Sequence, residues 1–316
     1  MAAEPPEIRS ITLDAAGVPL SALLAEPAGP PRALVVAIHG AGMSAGYFDS
    51  RSSPGLSLLA LGARLGYSVL AVDRPGYGAS APYLPEGQTL DQQAATLHAA
   101  LGDFAGTYCT GAEVFLVAHS NGGKLALVTA AGWPAAHPPG EAACRLVGLD
   151  ISGLGSTLAV DAHRLPGPEG HGDWRRHWGS LRFYPPDAFR LSRALVSPVP
   201  GLEASEGPLW PLLYPGIAAR VTVPVRFTFA EQEQWWRCDA EALAALTAPL
   251  AATRVTVDHQ PDAGHNISLG WAARTYHLRA LGFLEECLLA RDAAPARGPS
   301  AGSPVPAARG RAAHVA

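Results

Sequence analysis

Six short runs of β-branched and apolar residues, at positions 33–38, 67–72, 113–117, 146–151, 223–229 and 254–257, give way across turns to stretches with helical spacing. Such repeated switching between strand-like and helix-like periods is the pattern of a parallel sheet with helices packed on its faces. The near-continuous Val, Leu and Ala of the runs indicates strands buried on both faces. Helices are expected at 57–65, 90–104, 121–131, 239–246 and 267–290, and an antiparallel hairpin within 8–26 that turns at Ala15, Ala16 and Gly17. The fold class read from this pattern is α/β, a mostly parallel central sheet flanked by helices.

One interval departs from the rhythm. Residues 155–220 hold no convincing buried strand, yet carry Trp174, Trp178, Phe183, Tyr184, Trp210 and Tyr214 among many prolines, which is the composition of an inserted lid. The segment 293–316 is Ala, Pro, Gly, Ser and Arg with almost no large apolar residue, too little to offset the entropy of ordering it, and disorder is expected there. The chain therefore divides into a core, 1–155 and 220–292, a lid at 156–219, and a tail at 293–316. A length of 316 residues is enough for one large core of this kind.

Composition narrows the partners. A formal net charge of −4 creates no basic field for nucleic acid or an anionic membrane. The longest uncharged stretches, such as residues 125–140, are interrupted by Pro and Gly and too short to span a bilayer. Glu4, Pro5, Pro6 and Glu7 stand where a secretory signal carries a basic end and an apolar run, so a cytoplasmic, soluble protein is expected. Cys109, Cys144, Cys238 and Cys287 form no CxxC pair and are read as reduced thiols. His163, His171, His177 and Asp173 lack the spacing of zinc ligands, and no metal or other cofactor is expected.

The chemistry concentrates at the strand ends. Val117, Ala118, His119, Ser120, Asn121, Gly122 and Gly123 lie where a buried strand must turn sharply into a helix. Such an elbow exposes its serine at the top of the sheet and demands small residues two before and two after it, because strand and helix nearly touch. Ala118 and Gly122 meet that demand. Three further landmarks follow strands in order: Ile38, His39, Gly40, Ala41, Gly42, whose small residues can aim backbone N–H groups at an oxyanion; Asp73 to Ser80, with Gly76 and Gly78; and Asp262, Ala263, Gly264, His265, Asn266.

With these four motifs the chain resembles the α/β-hydrolase family from about residue 8 to residue 290; Ala118 stands where the family usually has Gly. The resemblance implies a catalytic triad in the order serine, acid, histidine, with the acid on the turn after the strand that follows the lid. In the matching stretch, 227–234, Glu233 falls at that position. Glu231 is two residues away and would exchange with it if the turn shifted. Asp150, at the end of the strand before the lid, is a further candidate acid, because some lipases of this fold carry theirs there. Ser120 is then the nucleophile, His265 its general base and acid, and the N–H groups of Asn121 and Ala41 the oxyanion hole. Among the other histidines, His39 belongs to a turn, His119 is expected to point away from the pocket by strand alternation, and His98 and His277 fall within helices. Asp73, Asp258 and Asp262 are expected to shape turns, Lys124 to be a solvated or snorkelling residue, and the lid aromatics together with Trp235 and Trp236 to supply lid core and part of the pocket lining.

The implied function is a serine hydrolase that cleaves a carboxylic ester or thioester through an acyl-enzyme on Ser120, with a small acyl compound as its partner. A serine nucleophile argues against the epoxide and haloalkane branches of the family, which attack carbon with a carboxylate. Two other readings fit the same residues: an acyltransferase that passes the acyl group to an alcohol or amine, and a binding protein of the same fold whose triad is idle.

Overall fold

The computed structural model describes residues 6–108, 113–137, 144–167, 173 and 175–293. The tail expected to be disordered, together with Cys109, His171 and Trp174, lies outside the described residues. In chain order the elements are β1 (Ile8–Ala15), β2 (Val18–Ala25), β3 (Leu34–Ile38), α1 (Leu58–Arg64), β4 (Ser68–Val72), α2 (Leu90–Thr107), β5 (Glu113–His119), α3 (Asn121–Ala136) and β6 (Arg145–Ser152). After them come α4 (Arg175–Trp178), α5 (Ala188–Ser192), α6 (Gly201–Glu206), α7 (Trp210–Ala218), β7 (Val225–Gln232), α8 (Ala240–Thr247), β8 (Val255–Gly264) and α9 (Ala273–Ala293).

The eight strands form one sheet in the order β1-β2-β4-β3-β5-β6-β7-β8. β1 and β2 pair antiparallel, β2 runs antiparallel to β4, and all remaining neighbours are parallel. Ala16 (φ 55°) and Gly17 (φ 91°) make the hairpin turn, both left-handed as a tight two-residue turn between twisted strands requires.

Alternation along each strand divides the core in two. Leu34, Val36, Ile38, Val114, Leu116 and Ala118 face a layer that holds α2, α3 and α7. Val35, Ala37, Phe115 and Val117 face the opposite layer, with α1 and α9. All ten side chains are almost fully buried, which is why these strands read as continuous apolar runs. Local chemistry starts the helices: Thr89 and Gln92 form a reciprocal capping box ahead of α2, and the Ser57 and Asp239 side chains accept backbone N–H groups at α1 and α8.

Two boundaries differ from the sequence reading. β8 reaches Gly264, well past residue 257, because its pairing with β7 continues through an irregularity near Gln232; as an edge strand it tolerates Pro261. The helix expected from 267 is broken at Gly270, where the Trp271 N–H donates to the Phe183 carbonyl, so the long helix begins at Ala273.

The chain crosses from β4 over β3 to β5, so the strand order reverses between β3 and β5. A reversal of this kind opens a crevice at the carboxyl ends of the parallel strands, the usual ligand position in such sheets. Over that crevice lie α4 to α7, none of which joins the sheet; the segment before them makes one isolated bridge, from Leu158 to Trp236. Among the described residues no helix is long and apolar enough to cross a membrane, and Cys144, Cys238 and Cys287 are free.

Candidate active site

The turn from β5 into α3 holds Ser120 at φ 52°, ψ −121°, a conformation that costs a non-glycine residue on the order of 1–3 kcal/mol. Its neighbours hold it there. The Ser120 N–H donates to the Ser152 carbonyl at 2.8 Å. A Cβ on Gly122 would stand 2.3 Å from the Ile38 carbonyl oxygen and 2.4 Å from that of His39, so only glycine lets α3 start this close to β3. Gly40 packs on the same corner, its own Cβ direction 3.1 Å from the Ser120 Cβ. Although Ser120 occupies the helix-capping position, its hydroxyl makes no capping bond, which leaves it available to the cleft.

His265 follows β8. Its Nδ1 lies 2.8 Å and 3.1 Å from the two carboxylate oxygens of Glu233, and both side chains are about 2% exposed. Glu233 is itself fixed, because Oε1 accepts the backbone N–H groups of Gln234 (3.1 Å) and Trp235 (2.9 Å). Glu231 turns outward and accepts the N–H of Asp262, which sits at φ 54° in the irregular end of β8. The imidazole rests on Gly153, where a Cβ would come within 2.8–2.9 Å of the ring.

Asp150 is committed elsewhere. It is fully buried on β6, salt-bridged to Arg226 at 2.7 Å and accepting the Tyr276 hydroxyl at 2.9 Å, while Arg226 also holds Asp258 at 2.8 Å. Burial raises the Asp150 pKa, against the pull of Arg226 and Tyr276. Asp73 binds the Ala45 N–H and the Ser21 hydroxyl, a turn-shaping role.

Ser120, His265, Ala41 and Asn121 line one cleft together with Trp235 and Trp236; it encloses about 570 Å³, open solvent included. Two sequence expectations are corrected here. His119 does not point away: it forms part of the cleft floor, with its ring 4.6 Å from that of His265, stacked on Tyr47 and bonded through Nδ1 to the Ser152 hydroxyl. Gly153 has no side chain to separate the two rings, and burial keeps the His119 pKa well below its ordinary value. Lys124 is not solvated: it is 4% exposed and lines the cleft. Its position four residues after Ser120 was visible in the sequence; the packing of Trp210 and Trp236 around it was not.

Sequence reasoning also passed over the contact that ties α6 to the elbow. Glu203 on α6 accepts from Arg74 (2.6 Å), from the Tyr77 hydroxyl (2.9 Å) and from the Asn121 side chain (2.8 Å). Arg74 and Glu203 are 0% and 4% exposed, so this is a buried ion pair. The aromatics of residues 155–220 divide: Trp210 is fully buried and donates to the Gly155 carbonyl, whereas Trp178 borders a groove that continues the cleft. Among the described residues no cluster of His, Cys, Asp or Glu could hold a metal ion.

A model of the alpha/beta hydrolase family matches residues 35–278. No curated protein sequence matches the chain. Similar solved structures include a mutant of N-acyl homoserine lactonase AidH complexed with N-hexanoyl homoserine, at TM-score 0.63 and 16% identity, covering 89% of this chain and 98% of that one. Carboxylesterase CesB from Bacillus subtilis is similar at TM-score 0.59 and 16% identity over 89% and 92% of the two chains. For Est1E from Butyrivibrio proteoclasticus the TM-score is 0.57 and the identity 16%, over 89% and 99%. At such identities the likeness is one of fold.

Proposed function

The chain belongs to the α/β-hydrolase family, and from that premise we propose that it is a serine hydrolase that cleaves a carboxylic ester or thioester through an acyl-enzyme on Ser120. The observation that carries the reading is the pairing of His265 Nδ1 with the Glu233 carboxylate in the cleft that Ser120 also lines. With Nδ1–H donated to Glu233, the other ring nitrogen, Nε2, has its lone pair free for a proton.

In the proposed reaction Nε2 takes the Ser120 hydroxyl proton as Oγ attacks the carbonyl carbon. The carbonyl π electrons move to oxygen, and the N–H groups of Asn121 and Ala41 stabilise that oxyanion. Collapse of the intermediate expels the alkoxide or thiolate, which takes the proton back from Nε2. Water, deprotonated by the same nitrogen, then releases the acid and restores Ser120. Glu233 stays ionised and holds the ring in the tautomer that both steps need.

A fluorophosphonate probe tests the reading. The folded protein is expected to be labelled in a manner that vanishes in Ser120→Ala; a folded wild type that takes no label supports the idle-triad binding protein instead. The similar structures include a lactonase and a carboxylesterase, which agrees with ester-like substrates.

A further inference from the structure

Lys124 is the only lysine in the sequence. It sits one turn into α3, on the face that carries Ser120, and is 4% exposed in the wall of the cleft. The Nζ stands 5.7 Å from the ring centroids of both Trp210 and Trp236, and those faces stabilise a cation without occupying its N–H donors.

The carboxylates nearest to it are already engaged. Glu203 accepts from Arg74, Tyr77 and Asn121, and Glu206 accepts the Leu90 N–H at 2.7 Å. Among the described residues none forms an ion pair or hydrogen bond with Nζ. An ammonium held this far from water is costly unless a negative charge meets it.

On the other side of Ala41 and Met43 the cleft continues into a groove bordered by Trp178, Leu181, Phe189 and Val196, with His177, Ser192 and Arg193 also in its lining. The cavity thus joins the part lined by Lys124 and Ser120 to a mainly apolar groove.

Resting on the ester-hydrolase reading above, we propose that Lys124 is a specificity residue for an anionic group of the substrate, so that the cleft selects an ester with a carboxylate or like anion at one end and an apolar chain at the other. Nζ donates charge-assisted hydrogen bonds to the anion, which replaces the water the ammonium has lost. Lys124 lies one turn into the helix that the Ser120 elbow opens and lines the same cleft, so one small substrate reaches both groups.

The anion belongs either to the acyl group or to the alcohol, and two substrate pairs separate these cases. One compares 4-nitrophenyl hemiadipate with 4-nitrophenyl hexanoate; the other compares 4-(hexanoyloxy)butanoate with its carboxamide. In one pair the wild type is expected to prefer the anionic member in kcat/KM by about 10- to 100-fold, the range of a hydrogen bond to a charged group. Lys124→Met is expected to collapse that ratio to one or below, and Lys124→Arg to restore part of it. Burial pushes the Lys124 pKa down to about 8, with Glu203 and Glu206 opposing and Arg74 assisting, so the preference is expected to fade as pH rises through that value.

Titration of the same compounds into Ser120→Ala reads binding without turnover. Turnover with no anionic preference in either pair, or a ratio unmoved in Lys124→Met, overturns the assignment of Lys124 and leaves the hydrolase reading intact. Selective binding of the anionic member by Ser120→Ala, with no wild-type turnover of any compound, upholds the anion site and overturns the hydrolase reading. Unselective binding without turnover overturns both.

Discussion

Replacing Glu203 by glutamine leaves the shape of the α6 contact almost unchanged and removes its negative charge, which isolates the worth of the ion pair between α6 and the turn after β4. Arg74 keeps hydrogen bonds to Gln93 at 3.0 Å and Tyr77 at 3.3 Å, but its guanidinium, 0% exposed, loses its counter-charge. Breaking a buried pair from one side costs about 3–5 kcal/mol, because the surviving charge stays desolvated. At roughly 2–4 °C per kcal/mol for chains of 150–250 residues, the expected fall in Tm is roughly 6–20 °C, toward the lower end for a longer chain. Thermal unfolding of Glu203→Gln, Arg74→Met and the double variant closes the cycle, and the double variant is expected to be more stable than the sum of the single losses implies. Burial alone would raise the Glu203 pKa, yet Arg74, Asn121 and Tyr77 hold it below the ordinary carboxylate value of 4.5. The carboxylate therefore contributes stability that is present above pH 4.5 and lost as pH falls through the lower folded-state value, a slope that Glu203→Gln should lack. A Glu203→Gln loss under about 1 kcal/mol, or single losses that merely add, would refute the view that this pair fastens α6 to the core.

Other expectations concern the reacting groups. Glu233→Gln should lower kcat by on the order of 10⁴-fold, through the wrong imidazole tautomer, with little change in Tm. Asp150→Asn should do the opposite, lowering Tm through the uncompensated Arg226 while kcat on a 4-nitrophenyl ester falls far less; a reversed pattern would move the acid to Asp150. Gly153→Ala introduces a methyl within 2.9 Å of the His265 ring at a backbone φ of +61°, so kcat should fall more than KM rises, and unchanged turnover would count against a tightly seated imidazole. Together with the fluorophosphonate labelling and the Lys124 ratios, these measurements separate the parts of the cleft by what each does.

Asn121 illustrates a limit of reasoning from a motif. As the residue after the nucleophile it matters in the sequence for its backbone N–H, and its side chain looks expendable. In the folded chain that side chain donates to Glu203 on α6, 82 positions away. His119 teaches the same lesson: strand alternation does set its side, but the absence of a side chain at Gly153 brings the His265 ring down beside it.

What the sequence determined by itself was whatever depends on neighbours along the chain. Near-continuous apolar runs and the helical stretches between them specify the layered sheet. The small residues around Ser120 specify the elbow, and Ala16 and Gly17 specify the hairpin turn, because crowding and φ are properties of a few adjacent residues. Tertiary structure alone decided which carboxylate meets His265, since Glu231, Glu233 and Asp150 are chemically equivalent until strand register aims one at the ring and gives the others to Asp262 and Arg226. It also decided that Lys124 is buried and that Arg74 and Glu203 meet. Pairing and desolvation depend on groups distant in the chain, 32 positions for Glu233 and His265 and 129 for Arg74 and Glu203, and local pattern carries no record of such pairings.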